Sequence, residues 1–84
     1  MQFTPYPNVF KEISLEDGLI ALESGQTDQL YSDGLESDEY ITYTDNCFKY
    51  EDNCVIGHDV EDALSTLIGL KWPLNHKFYI VNKH

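Results

Sequence analysis

Cysteine and histidine are the residues of this sequence whose side chains could hold a metal ion. Cys47, Cys54 and His58 follow one another within a short stretch, and His76 or an aspartate could supply a fourth ligand. Thiolate sulfur and imidazole nitrogen are the ligands that zinc prefers. The spacing does not match a known zinc finger, so the hypothesis is a structural zinc ion that staples a small domain.

The turn that joins two predicted strands decides which of these ligands can meet. If residues 52–53 form a two-residue turn, Cys47 and His58 become cross-strand neighbours. Cys54 then lies roughly 13 Å from Cys47 along the hairpin, which is too far to share one ion. The candidate ligands are therefore Cys47 and His58, and Cys54 or His76 can join them only if the segment is a loop.

The same turn bears on disulfide formation. A three-residue loop over residues 51–53 would place Cys47 and Cys54 on opposite faces of the hairpin, which disfavours a bond between them. Two cysteines are too few for a secreted disulfide scaffold, and a reducing compartment would keep them as thiols. Because the chain has no apolar run of membrane-spanning length and no signal-like start, we expect a cytoplasmic protein.

Motifs of catalytic sites are missing from the sequence. There is no G-x-S-x-G, no H-E-x-x-H and no phosphate-binding loop, and the glycines are scattered singly. An EF-hand alignment that places Gly34 at the sixth position puts Gln29 and Tyr31 where calcium ligands are required, so a calcium loop is rejected. We therefore expect a protein that binds a partner and is not an enzyme.

Charge is the most informative property of the chain. Fifteen Asp and Glu stand against five Lys and Arg, for a net charge of −10 in 84 residues. Every acid lies between Glu12 and Asp62, where Lys49 is the one cation, while the segment from residue 63 onward has lysines and no acid. Such a field repels nucleic acid and attracts basic surfaces, most of which in a cell bind nucleic acid. Plain solubility is the alternative explanation.

Acidic residues cluster around the predicted strand turns and at the start of a predicted helix. An array of carboxylates held there can occupy a groove built for phosphates, and interleaved tyrosines can anchor the contact. The alternatives are sheet-face packing for each tyrosine and stabilisation of the helix dipole for the acids of residues 59–62. The predicted partner-binding residues are Glu36, Asp38, Glu39, Asp45, Glu51, Asp52, Asp59, Glu61, Asp62, Tyr43 and Tyr50.

Capping residues and hydrophobic spacing predict the elements that position these side chains. Helices are predicted after Ser14, ending at Gly25, and after Asp59, up to Gly69. An extended arm or edge strand that begins at Pro5 precedes them. Strands are predicted at residues 29–31, 39–44, 47–50, 54–56 and 77–82, the last as a central strand. The expected fold is a single α+β domain over residues 1–84, an antiparallel sheet of about four strands with two short helices packed on one face.

Size, charge, this layout and the segments LESDEYITYTDN and KYEDNC give the chain a resemblance to known proteins. It resembles the small acidic proteins with which phages and mobile elements disarm host nucleic-acid machinery, including DNA mimics and anti-CRISPR proteins. The resemblance implies a stoichiometric inhibitor, in the host cytoplasm, that binds a CRISPR effector nuclease or a similar DNA-binding enzyme and blocks DNA loading.

Two alternatives stand beside this interpretation. The basic tail departs from a purely acidic mimic, so a protein-specific interface that uses both ends of the charge dipole fits the sequence as well. From a different class, a small zinc-stapled regulatory or interaction module would use Cys47 and His58 as metal ligands.

Overall fold

The computed structural model describes residues 6–81, in which four consecutive strands lie between two α-helices and one further strand lies near each end. Within these residues, no helix has the length and apolarity needed to cross a membrane. The elements are β1 (Phe10–Ile13), α1 (Leu15–Ser24), β2 (Tyr31–Ser32), β3 (Ile41–Thr44), β4 (Cys47–Tyr50), β5 (Val55–Gly57), α2 (Val60–Leu70), a 3₁₀ helix (Trp72–Asn75) and β6 (Phe78–Val81).

The strands form two three-stranded antiparallel sheets, and the prediction of one sheet of about four strands is wrong. The first sheet has the order β1-β6-β2 and the second the order β3-β4-β5. A single bridge joins them, in which the backbone N–H of Leu30 and of Ile41 each donates to the other residue's carbonyl, at 2.8 and 2.9 Å. The α+β class is confirmed, and β6 is a central strand as predicted.

Both helices pack against the same side of the two sheets. Side chains of paired residues on neighbouring strands share a face, and this rule places Ser32 with Phe78 and Ile41 with Tyr50. The buried core joins residues of both helices with this face of both sheets: Leu19, Leu22, Leu30, Ile41, Phe48, Ile56, Ala63, Leu67 and Phe78.

The predicted helix starts are confirmed by their caps. The Ser14 hydroxyl accepts from the Asp17 N–H at 3.1 Å, and the Asp59 carboxylate accepts from the Asp62 N–H at 2.7 Å, so each satisfies a donor that the first helical turn leaves open. Helix α1 ends at Gly25 as predicted, at φ +83°. Helix α2 runs to Leu70, one residue beyond the Gly69 that closes its predicted apolar stripe and before Trp72–Pro73.

Two tight turns shape the second sheet. Asp45 and Asn46 have φ of 54° and 62° and join β3 to β4 directly, as a two-residue turn with positive φ at both positions. The next turn is the three-residue loop over residues 51–53, with Asn53 at φ 70°, so the two-residue alternative is wrong there. A bulge between Phe48 and Lys49 then shifts the register of β4 against β5.

The ends of the chain carry predictions that the described residues cover only in part. Strand β1 confirms an edge strand near the N-terminus, whereas Pro5 lies outside the described residues. Lys83 and His84 of the predicted basic tail also lie outside them.

Candidate partner-binding surface

Of the predicted zinc ligands near the second sheet, Cys47 and His58 lie at the same end, and Cys54 lies at the other. Cys47 is buried at the start of β4, where its Sγ donates to the Thr44 carbonyl at 3.6 Å, whereas Cys54 is exposed beyond the other end of β4. His58 follows β5 near the Cys47 end, because the bulged register pairs Phe48 with Gly57.

Geometry adds no support to a shared metal site in this region. Across residues 6–81, no three or more His, Cys, Asp and Glu side chains are grouped so that they could hold a metal ion. The zinc hypothesis for Cys47 and His58 stays a prediction, which stoichiometric metal analysis of the purified protein tests.

His76 lies in the first sheet, away from the cysteines, and has a structural partner. Its Nδ1 lies 3.1 Å from Asp33 Oδ1, and the same oxygen accepts from the Lys77 backbone N–H at 3.0 Å. These contacts fasten the turn after β2 to the segment that enters β6.

The predicted acidic residues divide into two groups at opposite ends of β4. The chain enters β4 from the Asp45–Asn46 turn, and β5 returns to this same end before α2 begins. The helix-start cluster at this end contains Asp45, Asp59, Glu61 and Asp62. The loop cluster lies at the other end, where the chain enters β3 and where a turn joins β4 to β5. It contains Glu36, Asp38, Glu39, Glu51 and Asp52. Four strand residues separate the two ends, about 10 Å.

Short-range contacts hold many of these carboxylates in place. In the helix-start cluster, Asp62 Oδ2 accepts from the His58 N–H at 3.2 Å, and Asp45 pairs with Lys49 at 3.3 Å. In the loop cluster, Asp52 Oδ1 accepts from the Cys54 N–H at 3.0 Å. Such bonds restrict the side chains to few orientations, so the clusters present charge with little freedom left to lose on binding.

Glu39 and Glu51 hold the loop cluster in the same manner. Glu39 Oε1 accepts from the Glu36 backbone N–H, and Glu51 Oε2 accepts from the Asp52 backbone N–H, both at 2.8 Å. These acids therefore shape their own turns, a structural role that the sequence had not indicated for them.

Two basic side chains of the C-terminal segment lie against acids from the first half of the chain. Lys77 Nζ lies 3.8 Å from Glu12 Oε1, and His76 pairs with Asp33. Lys71 is exposed at the end of α2, where it adopts φ 71°. The charge separation seen along the sequence is thus reduced in space by pairing within the first sheet.

Tyr43 and Tyr50 lie on the core side of the second sheet. Tyr43 is paired with Phe48 and its ring centroid is 4.7 Å from the Phe48 ring, while Tyr50 is paired with Ile41. Both tyrosines are half-buried against the core. This placement matches the sheet-packing alternative, and a contact of either ring with a partner stays a prediction.

An aromatic surface that the sequence analysis missed lies on the opposite side of the first sheet. We define the outer aromatic face as Phe10, Tyr31, Tyr40 and Tyr79. Strand pairing puts Tyr31 beside Tyr79, on the face away from buried Ser32 and Phe78. The Phe10 and Tyr31 rings meet edge to face at 5.3 Å, and Tyr31 and Tyr40 are 6.1 Å apart.

The strand sequences contained a partial signal for this face. In FYIV, the adjacent residues Phe78 and Tyr79 place aromatic rings on both faces of the strand, which is unusual for a sheet with one polar, solvated face. What the sequence does not provide is the pairing of β1 and β2 with β6, which brings Phe10 and Tyr31 together.

Burial of tyrosines predicts a loss of stability at alkaline pH. Burial raises the pKa of Tyr31, Tyr50 and Tyr79 above the ordinary 10.0. Nearby negative groups add to the rise, and a hydrogen bond from Trp72 to Tyr50 and the charge of Lys77 beside Tyr79 oppose it in part. A raised pKa in the folded state means that stability is complete below pH 10.0 and falls as the pH rises through the folded-state pKa values. Urea unfolding followed across this range should show the decline, and Tyr50→Phe should reduce it. An unchanged unfolding midpoint up to the onset of general alkaline denaturation would contradict the prediction.

Comparison of the chain with known proteins gives no relative on which a function could be based. No family model matches it, and neither a curated protein nor a solved structure is significantly similar. The functional argument therefore depends on the residues and surfaces described above.

Proposed function

We propose that this protein is a stoichiometric inhibitor that binds a basic, nucleic-acid-binding surface of an enzyme and blocks the loading of DNA. A CRISPR effector nuclease is the partner that we put forward. The observation that carries the proposal is the arrangement of carboxylates in two clusters, fixed by turns and a helix cap, at the two ends of one strand.

The charge density of the protein supports contact with a phosphate-binding groove, and it requires additional contacts of other kinds. The described part of the chain is 31 Å long, and duplex DNA of that length carries about 18 negative charges. The protein has a net charge of −10. It therefore supplies about half the charge of the DNA that it would displace, and the remaining affinity must come from contacts specific to the partner.

Two clusters beyond the opposite ends of a strand about 10 Å long favour a partner with basic residues on both sides of a groove. Complementary potentials of this kind accelerate encounter and fix the orientation of the complex. Lys77 of the first sheet lies against Glu12, and the acids outnumber the cations threefold, so the electrostatic attraction to such a groove comes from the acids.

Single charge reversals test the proposal, one in each cluster. Glu61→Lys in the helix-start cluster and Asp38→Lys in the loop cluster should each weaken binding to a purified CRISPR effector about tenfold, equivalent to 1.4 kcal/mol. Both residues are exposed. Asp45 and Glu51 are less suitable, because Asp45 pairs with Lys49 and Glu51 accepts a hydrogen bond within its turn. A charge reversal at either residue would lower stability as well as affinity. The measurement is competition with fluorescently labelled target DNA.

Glu23→Lys is the matched control for these reversals. Glu23 is exposed on α1, outside both clusters, and its reversal changes the net charge by the same amount. It should leave affinity nearly unchanged, and the affinity of the unaltered protein should fall as salt is raised. Equal effects of all three reversals would show that net charge alone acts, and no effect from any of them would sink the electrostatic proposal.

A further inference from the structure

We propose that the outer aromatic face is a docking site for arginine side chains of a basic partner protein. The inference deepens the proposed function and rests on it for the basic character of the partner. The charge comparison requires contacts that are specific to the partner. We assign these contacts to a surface outside the two acidic clusters.

The geometry of the face suits flat side chains. Tyr31 and Tyr79 are adjacent across β2 and β6, and the Phe10 ring meets Tyr31 edge to face, so the rings line one side of the first sheet. All are half-buried, so part of each remains accessible while packing fixes its orientation. The Tyr31 hydroxyl also donates to the Gln29 side-chain carbonyl, which holds the ring in place.

A shallow depression borders these rings and carries a carboxylate. It is lined by Thr27, Asp28, Gln29 and Val81. Val81 is 40% exposed and is paired with Phe10, while Gln29 contacts Tyr31, so the depression adjoins the pair of rings. A planar cation that lies on the Tyr31 ring would have Asp28 within its surroundings.

Carboxylates also lie beside the second ring of the face. After burial, the negative charges of Asp33 and Glu12 are the next causes that raise the pKa of Tyr79, against a smaller opposing effect of Lys77. Glu12 is also the cross-strand partner of Tyr79 and shares its face, and a face that combines aromatic rings with carboxylates favours a cation over an anion.

Arginine fits this combination better than the alternatives. Its guanidinium is planar, stacks on aromatic rings and bonds carboxylates with two parallel N–H groups, whereas the lysine ammonium is compact and strongly hydrated. Single-stranded nucleic acid also stacks on aromatic rings, but its phosphates would be repelled by the net charge of −10. A second copy of this chain would meet the same repulsion.

Two synthetic peptides test the inference on the full chain. One alternates arginine with glycine, and the other has the same length with lysine in place of every arginine. We expect the arginine peptide to bind about threefold more tightly, the scale of one exposed cation–π contact. In NMR titrations, its largest shifts should fall on Phe10, Tyr31, Tyr79 and Val81.

Substitutions distinguish the contribution of the Tyr31 ring from that of the Asp28 carboxylate. Tyr31→Leu should abolish the preference for arginine, and Tyr31→Phe should restore it, because the ring is kept. Asp28→Asn should weaken the arginine peptide more than Glu23→Gln, which removes one exposed carboxylate of α1 that does not line the depression. If Tyr31→Leu fails to fold, the Asp28→Asn comparison and the NMR map of the unaltered protein decide. Equal binding of both peptides, or shifts confined to the acidic clusters, would overturn the inference.

Failure of this inference and failure of the proposed function give different results. If the peptides map to the acidic clusters and Glu61→Lys still weakens enzyme binding, the proposed function stands without the aromatic site. If arginine preference maps to Tyr31 and Tyr79 but the protein does not reduce DNA loading, the docking site stands and the inhibitor proposal fails.

Discussion

Replacing Gly57 with alanine is expected to destabilise the fold by about 3 kcal/mol, the upper part of the usual range for overpacking a core. Gly57 is buried at the end of β5, and an added Cβ would lie 2.5 Å from the Ala63 backbone nitrogen and 2.9 Å from the Asp62 carbonyl carbon. These neighbours are backbone atoms in the first turns of α2, so no side-chain rotation relieves the clash. Urea unfolding followed by Trp72 fluorescence measures the loss.

The matched control is Gly69→Ala, which should have the opposite sign. Gly69 lies in α2, is exposed, and has no atom within 4 Å of an added Cβ. Alanine should therefore stabilise the protein by about 0.5 kcal/mol through its better helix propensity. A Gly57→Ala protein as stable as the Gly69→Ala protein would show that α2 does not pack against β5 at this distance.

The Gly57 substitution should also affect the helix-start cluster. Asp59 and Asp62 lie at the start of α2, next to the backbone that an alanine side chain would displace. Partner binding by a folded Gly57→Ala protein should therefore weaken. Gly69→Ala, at the far end of the same helix, should leave binding unchanged.

Ser32→Ala is expected to cost about 2 kcal/mol, because it removes two hydrogen bonds made by a fully buried hydroxyl. Ser32 is 0% exposed. Its hydroxyl donates to the Lys77 carbonyl at 2.8 Å and accepts from the Gly34 N–H at 3.1 Å. One side chain thus joins β2, its turn and the start of β6. The measurement is the free energy of unfolding in urea.

Ser24→Ala is the matched control for Ser32→Ala. The Ser24 hydroxyl donates to the Ala21 carbonyl at 3.2 Å within α1, and the residue is exposed, so water can replace the bond. Its loss should change stability by no more than about 0.5 kcal/mol. Equal costs at the two serines would mean that water reaches the Ser32 position and that β2 is not held as described.

Local chemistry made part of the fold predictable. Ser14 and Asp59 indicated helix starts because a side-chain oxygen three residues before a free N–H can cap it. The polar pair Asp45–Asn46 marked a turn because both residues tolerate positive φ. The strand segments at residues 41–44, 47–50 and 55–56 were found for the same reason: each is a short run of β-forming residues between turn residues.

Contacts between distant parts of the chain were not predictable in this manner. The turn at residues 51–53 had two open solutions, and the bulge at Phe48 makes the register of β4 against β5 differ along its length. Pairing of β1 with β6 joins the two ends of the described chain and produced two sheets where one was expected. Such pairings depend on how the whole core is filled, which no short segment encodes.

The features of the candidate sites also divide into those set by the local sequence and those set by contacts between distant parts of the chain. The sequence by itself determined the net charge, the restriction of acids to residues 12–62, the helix caps and the identity of the turn residues, because these depend on composition and near neighbours. Only the tertiary structure decided that the acids form two clusters at opposite ends of β4, that Tyr43 and Tyr50 face the core, and that Phe10 and Tyr31 meet on an outer face. Strand order and register set which side chains share a face, and both arise from long-range packing.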